Sequence, residues 1–116
     1  MDIQDLRKEI DAIDDQIISL FAQRMEIASK VAAYKSERNL PILVPDREQE
    51  KLRDVSRKAG GTLAEYVRML YSVILPLSRA WQHRQGGNPL PFSELSKKVA
   101  ELYQGSIPAD HEEVNQ

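Results

Sequence analysis

The N-terminal segment of this chain, residues 2–37, contains neither glycine nor proline. Apolar side chains recur along it in steps of three, four and seven, the spacing of one face of an α-helix. They are Ile3, Leu6, Ile10, Ile13, Ile17, Leu20, Ile27, Val31 and Tyr34. The spacing predicts one continuous helix from Asp2 to about Glu37 with an apolar stripe along its length.

This helix is too long for a compact chain of 116 residues. Its length would be about 54 Å, from the rise per residue of an α-helix. A compact globule of this size should be only about 35 Å across, from the usual gyration radius. Either the stripe faces water where the helix projects, or a second chain covers it. Because a continuous exposed apolar stripe is unfavourable, we predict that a second chain covers it.

The rest of the sequence predicts two more helices. Pro45 suits the first turn of a helix that runs to about Ala59, where two glycines end it. A capping-box pattern from Thr62 to Glu65 predicts the start of a third helix, and Pro76 is expected to kink that helix. Strand-like alternation is too short to build a sheet. The predicted fold is all-α, a three-helix chain with a very long N-terminal helix.

Two regions are predicted along the chain. We assign residues 1–84 to one helical domain and residues 85–116 to a C-terminal extension. Apolar residues in the extension favour a short helix over 92–104, and a tail or linker is expected from Gly105 onward. This arrangement is compatible with a domain cut from a longer fusion protein.

Composition excludes several kinds of site and partner. The sequence has no cysteine, and His83 and His111 stand in no recognised metal-ligand spacing, so no metal or cofactor is expected. The net charge of −2 gives no basic field that would attract nucleic acid or an anionic membrane. The chain starts without a signal sequence and has no membrane-length apolar run. It is therefore expected to be cytoplasmic.

Arg24 interrupts the apolar stripe of the first helix. A guanidinium among apolar side chains is costly unless an anion meets it. Lys35 lies nearly three turns further on, on almost the same face, whereas Arg7 lies about 25 Å away along the axis. One small ligand can touch both arginines only if they belong to two antiparallel helices. The structural alternative is that Arg24 pairs with a glutamate or extends to water, and that Arg7 and Lys35 are solvated charges.

Four further polar residues have an unusual placement. Arg47, near the start of the second helix, is unfavourable to the helix dipole, which indicates another use. Glu48 favours the same helix terminus, and Ser78 and Gln82 lie four residues apart on one face of the third helix. Taken singly, each of these is also explained as an ordinary surface residue.

The ordered set of these residues resembles the all-α (AroQ-type) chorismate mutases. The likeness covers residues 3–84 through Leu6 to Asp14, Leu20, Arg24, Lys35, Pro41, Asp46 to Glu48, Ser78 and Gln82. The resemblance implies an intertwined homodimer with two active sites, each completed by an arginine from the other subunit. It also implies conversion of chorismate to prephenate, a step of the shikimate pathway toward phenylalanine and tyrosine, without a cofactor.

The resemblance assigns the anion-binding roles to arginines. Arg24 would bind one substrate carboxylate, and Arg7 of the partner subunit would hold the other. Arg47 would lie nearby. Such roles suit arginine, because its guanidinium can donate two parallel hydrogen bonds to one carboxylate.

The resemblance assigns the remaining contacts to five other residues. Lys35 and Gln82 would donate to the ether oxygen that gains negative charge as its bond to carbon breaks. Glu48 would accept from the ring hydroxyl, and Ser78 would help to place the ring carboxylate. Val44 stands where the family often has an acidic residue, and its backbone N–H would serve the substrate. The reaction is unimolecular and needs only a compact substrate conformer and fixed charges.

Two alternatives stay open. Isochorismate pyruvate lyase has a closely related fold, but an apolar residue is expected there in place of Glu48. The other alternative is a non-catalytic helical dimer, such as a mutase-like regulatory domain joined to or associated with another shikimate-pathway enzyme. Arg24 counts against a pure scaffold, which would be more stable with leucine in the stripe.

Overall fold

The computed structural model of the chain describes residues 2–87, 96–97 and 99–101. Residues 2–87 form three helices, α1 (Ile3–Glu37), α2 (Pro45–Ala59) and α3 (Leu63–Gln85). All regular structure in the described residues is helical, which confirms the all-α prediction. Most of the short helix predicted over 92–104, and the whole tail from Gly105, lie outside the described residues.

A capping box forms at the start of α1. The Asp2 carboxylate accepts from the backbone N–H of Asp5 at 3.0 Å, and the Asp5 carboxylate accepts from the N–H of Asp2 at 3.3 Å. The capping box predicted at Thr62 is wrong, since its side chain makes no capping hydrogen bond to α3. Thr62 already has helical backbone angles, whereas a capping side chain usually belongs to an extended residue.

The turn between α2 and α3 depends on two glycines. Gly60 has φ of 67° and Gly61 has φ of 55°, values that only glycine adopts without strain. The reversal brings α2 against α3, where Leu52 and Leu75 are buried. The helix α3 continues through Pro76, which is also buried, so the proline does not end it.

The second half of α1 packs on α3. Ala28 and Ala32 are buried there, and their small side chains let the two helices approach closely. The indole N–H of Trp81 donates to the hydroxyl of Ser29 at 2.7 Å and links the same two helices. The second half of α1 is therefore fixed to the rest of the chain.

The first half of α1 has no such cover. Every residue from Ile3 to Leu20 is exposed, and the stripe residues Ile13 and Ile17 keep 54% and 57% of their surface. Leu63 and Leu70, in the first half of α3, are exposed as well. The chain extends 54 × 30 × 30 Å. An apolar face of this length is typical of a protein–protein interface.

Among the described residues, no helix is both long and apolar enough to cross a membrane.

Candidate active site

A cavity of about 390 Å³ opens where the second half of α1, the start of α2 and the end of α3 meet. This is the size of a pocket for a small molecule. It is lined by Arg24, Ile27, Ala28, Val31, Ile42, Val44, Arg47, Glu48, Lys51, Leu75, Ser78, Arg79 and Gln82. All three helices and the connection between α1 and α2 thus contribute to one cavity.

The charges around this cavity are strongly unbalanced. Its lining carries four cationic side chains, Arg24, Arg47, Lys51 and Arg79, and one carboxylate, Glu48. Four positive charges and one negative charge give a formal sum of +3. An excess of one sign of charge along walls of low polarity focuses the potential inside a cleft. The cavity is therefore suited to a small anion with more than one negative charge.

Arg24 enters the cavity from α1. It is half-buried, and its guanidinium carbon lies 5.9 Å from the centre of the Tyr71 ring, within the range of a cation–π contact. Within residues 2–87, no carboxylate lies at ion-pair distance from Arg24. The alternative in which Arg24 merely pairs with a glutamate thus finds no support in the described chain.

Ser78 and Gln82 enter the cavity from α3 and are both only 8% exposed. The side-chain amide nitrogen of Gln82 lies 3.5 Å from the Ser78 hydroxyl oxygen, at the long end of hydrogen bonding. The Gln82 Oε1 atom is buried and has no hydrogen-bond partner among the described residues. Because an unpaired buried polar atom is destabilising, this side chain is typical of a site completed by a ligand.

Glu48 pairs with a residue that the sequence interpretation did not include. Arg79 donates from Nη1 to Oε1 of Glu48, and this ion pair links α2 to α3. Arg79 could have been predicted from a helical-wheel projection of α3 around Ser78 and Gln82. Arg79 lies three residues before Gln82, a spacing that puts both on one face of α3.

Val44 and Arg47 lie where the connection enters α2. Val44 is the residue before the helix, and its carbonyl accepts from the backbone N–H of Glu48 at 3.2 Å. Arg47 donates to Glu50 at 3.2 Å, and more than half of its side chain is exposed. Arg47 is thus at the rim of the cavity and its pairing is weak.

Lys35 and Arg7 lie outside the first cavity. Lys35 lines an adjoining cavity of about 480 Å³, which shares Ile42 and Gln82 with the first. Its ammonium group donates to the Ile42 carbonyl at 2.9 Å, which fixes the side chain beside Gln82. Arg7 is on the exposed first half of α1 and lines neither cavity. Six of the eight predicted site residues thus share one cavity, Lys35 adjoins it, and Arg7 is remote within one chain.

Two further findings concern titratable groups. A hydrogen bond from Lys58 lowers the pKa of Asp54 on α2, and the charges of Arg57 and Lys51 act in the same direction, although partial burial opposes them. Asp54 does not line the first cavity, but Lys51, which forms an ion pair with it at 3.9 Å, does. In the part of the chain that the structure describes, no group of histidine and carboxylate side chains is arranged to hold a metal.

The chain is similar over part of its length to several curated proteins. It is 43% identical over 56 residues to a bifunctional chorismate mutase/prephenate dehydratase of Aquifex aeolicus, covering 48% of this chain and 16% of that protein. It is 40% identical over 47 residues to a chorismate mutase of Methanocaldococcus jannaschii, covering 40% and 48%. It is 29% identical over 76 residues to a 4-amino-4-deoxychorismate mutase of Streptomyces venezuelae, covering 64% and 74%.

This chain thus spans about one sixth of the Aquifex relative and about half of the Methanocaldococcus one. No solved structure matches the chain. The sequence profile of one family, chorismate mutase type II, matches residues 6–83, which include α2 and nearly all of α1 and α3. On that match, together with the cationic cavity built by the same helices, the chain belongs to the chorismate mutase type II family.

Proposed function

We propose that this chain is an isomerase that converts chorismate to prephenate. The main support for the proposal is the cavity itself, which is lined by four cations, one carboxylate and a buried glutamine in the region matched by the family. Chorismate is a dianion of a size that suits about 390 Å³. The proposal covers a free-standing domain and one joined to a second shikimate-pathway enzyme, the arrangement named for the Aquifex relative.

The proposed reaction needs no group that gains or loses a proton. The ether C–O bond of chorismate breaks while a C–C bond forms between the ring and the enolpyruvyl side chain, all within one molecule. Negative charge develops on the ether oxygen in the transition state. Catalysis then consists of holding a compact conformer and placing hydrogen-bond donors at that oxygen.

Two donors are proposed for the ether oxygen. The Gln82 amide is buried in the cavity wall, where a hydrogen bond is little weakened by water. The Lys35 ammonium uses one N–H on the Ile42 carbonyl and has two left for the substrate. The Lys35 side chain is anchored at α1 and at the Ile42 carbonyl, so this donor needs little reorganisation during the reaction.

The remaining contacts are proposed from position and charge. Arg24 binds one substrate carboxylate, with Arg47 at the rim. Ser78 helps to place the ring carboxylate. Glu48, the carboxylate of the cavity, accepts from the ring hydroxyl, and the backbone N–H of Val44 completes the set.

The proposal includes a homodimer with shared sites. One chain leaves the stripe of α1 exposed from Ile3 to Leu20, and a second copy supplies a stripe of the same chemistry. Antiparallel packing of two such helices brings Arg7 of the partner subunit toward Arg24, which the two residues of a single chain cannot achieve. The partner's Arg7 would then hold the second carboxylate.

The proposed activity is tested by following chorismate loss by absorbance and identifying prephenate as the product. Arg24→Leu should lower kcat/KM about a hundredfold or more, because a lost charge-assisted hydrogen bond costs about 1.5–3 kcal/mol and two are lost at a carboxylate. Its stability should be equal or higher, since the stripe gains an apolar residue. The matched control is Arg53→Leu, an exposed residue of α2 outside both cavities. A fully active Arg24→Leu enzyme would show that Arg24 is structural.

Assembly is tested at Ile13, in the exposed half of the stripe. Wild-type protein should sediment as a dimer, and Ile13→Lys should shift it toward monomer, because the new ammonium would be buried in the interface. Gln4→Lys adds the same charge about 180° around the helix and should leave the dimer intact. Sedimentation velocity at one fixed concentration distinguishes the three. A monomeric wild-type protein would contradict the shared-site proposal.

The role of Gln82 is tested by a pH–rate profile. A glutamine amide donates at any ordinary pH, so wild-type turnover should be nearly flat around neutrality. In Gln82→Glu the new group donates only when protonated and repels the developing charge when ionised. Its activity should therefore be highest in acid and fall as pH rises. Gln49→Glu, exposed and outside both cavities, is the control. If Gln82→Glu followed the wild-type profile, Gln82 would not face the breaking bond.

A further inference from the structure

We propose that Arg79 determines which ring substituent the site accepts. By pairing with Glu48, Arg79 makes the site select a neutral hydroxyl over a positively charged ammonium group at the same ring position. This inference rests on the proposed function, in which Glu48 accepts from the substrate ring. Arg79 would act through Glu48, as a positioning residue.

The contact between the two side chains lies inside the cavity. Arg79 and Glu48 both line it, and their side chains are only 21% and 22% exposed. Water and salt screen a pair in such a place less than a pair on the surface. The contact joins Nη1 of Arg79 to Oε1 of Glu48, which leaves Oε2 available to a substrate.

The charge on Glu48 decides what kind of donor it can serve. A hydroxyl needs only an acceptor lone pair, and a carboxylate paired through one oxygen still offers several. An ammonium group gains most of its binding energy from net negative charge, which Arg79 cancels at this carboxylate. Glu48 is the one carboxylate among the residues that line the cavity, so nothing else there attracts a cation.

The remaining cations of the cavity strengthen this selection. Arg24, which has no carboxylate partner within residues 2–87, suits a carboxylate of the substrate and repels a positive ring substituent. Arg47 and Lys51 are paired with Glu50 and Asp54 on α2 and add less to this repulsion. With Arg79 removed, Glu48 would become an unpaired carboxylate at the point where that substituent binds. The site would then favour an ammonium group more than before.

The two substrates for the test differ at this one substituent. Chorismate carries the hydroxyl, and 4-amino-4-deoxychorismate, named for the Streptomyces relative, carries an amine in its place. An aliphatic amine is protonated at neutral pH. The measurement is kcat/KM for both compounds with wild type, Arg79→Gln and Arg79→Lys. The preference for chorismate should fall about tenfold in Arg79→Gln, from the interaction of close charges in a partly buried site. It should persist in Arg79→Lys, which keeps the positive charge.

The preference is the ratio of kcat/KM for the two compounds on one enzyme sample. A smaller folded fraction lowers both values equally and leaves this ratio unchanged. If Arg79 only linked α2 to α3, or bound a carboxylate common to both compounds, Arg79→Gln would lower both rates equally. If that variant does not fold, Arg79→Met, which keeps an apolar stem of similar length, takes its place. An unchanged ratio in a folded, active variant overturns the inference while the proposed function stands.

A double-mutant cycle tests whether Arg79 acts through Glu48. In a Glu48→Gln background the carboxylate is gone, so Arg79→Gln should no longer change the ratio. An equal change in both backgrounds would show that Arg79 meets the ring substituent directly and would overturn the positioning role. If wild type converts neither compound, the proposed function fails and the inference fails with it.

Discussion

The structure depends on an apolar helix face that is longer than one chain can cover. Over the second half of α1, α3 packs beside that face through Ala28 and Ala32, and the cavity forms next to this contact, while the stripe residues Ile27 and Tyr34 stay exposed. Over the first half, from Ile3 to Leu20, the same face stays exposed. The apolar stripe thus stays exposed along most of α1, and only the adjoining side of the second half of the helix is covered within the chain. The proposed dimer would cover the stripe, and it would bring to the site an arginine that lies far from the cavity within one chain.

The proposed site is indicated by charged and polar groups near the cavity that have no partner among the described residues. Arg24 lies in the stripe without a carboxylate partner in residues 2–87, and Gln82 holds a buried oxygen without a partner there. Both features oppose stability in the empty protein, because buried polar and charged groups need partners. A bound dianion would relieve the first. The Gln82 amide, buried in the cavity wall, would serve the charge that develops during the reaction.

The sequence predicted the structure best where the periodicity of a single helix was sufficient. The apolar period predicted α1 from Asp2 to Glu37, against Ile3–Glu37 in the structure, and Arg24 was found because it breaks that period. Sequence-based prediction failed where a contact depended on the packing of two helices or on local backbone angles. Thr62 has the right neighbours for a cap, but its backbone is already helical. Arg79 was missed because its partner, Glu48, is thirty-one residues away on another helix, and only the packing of α2 on α3 brings them together. Roles assigned to the eight site residues remain predictions.

Subunit mixing tests the proposal that two chains share each active site through Arg7 and Arg24. Arg7→Ala and Arg24→Ala should each be nearly inactive alone. In a mixed dimer, one site regains both arginines and the other loses both. Equal amounts of the two variants, fully exchanged, should therefore recover about one quarter of wild-type activity, because half of the dimers are mixed and half of their sites are intact. Absence of any recovery, after mass spectrometry has verified the mixed dimer, would contradict the account.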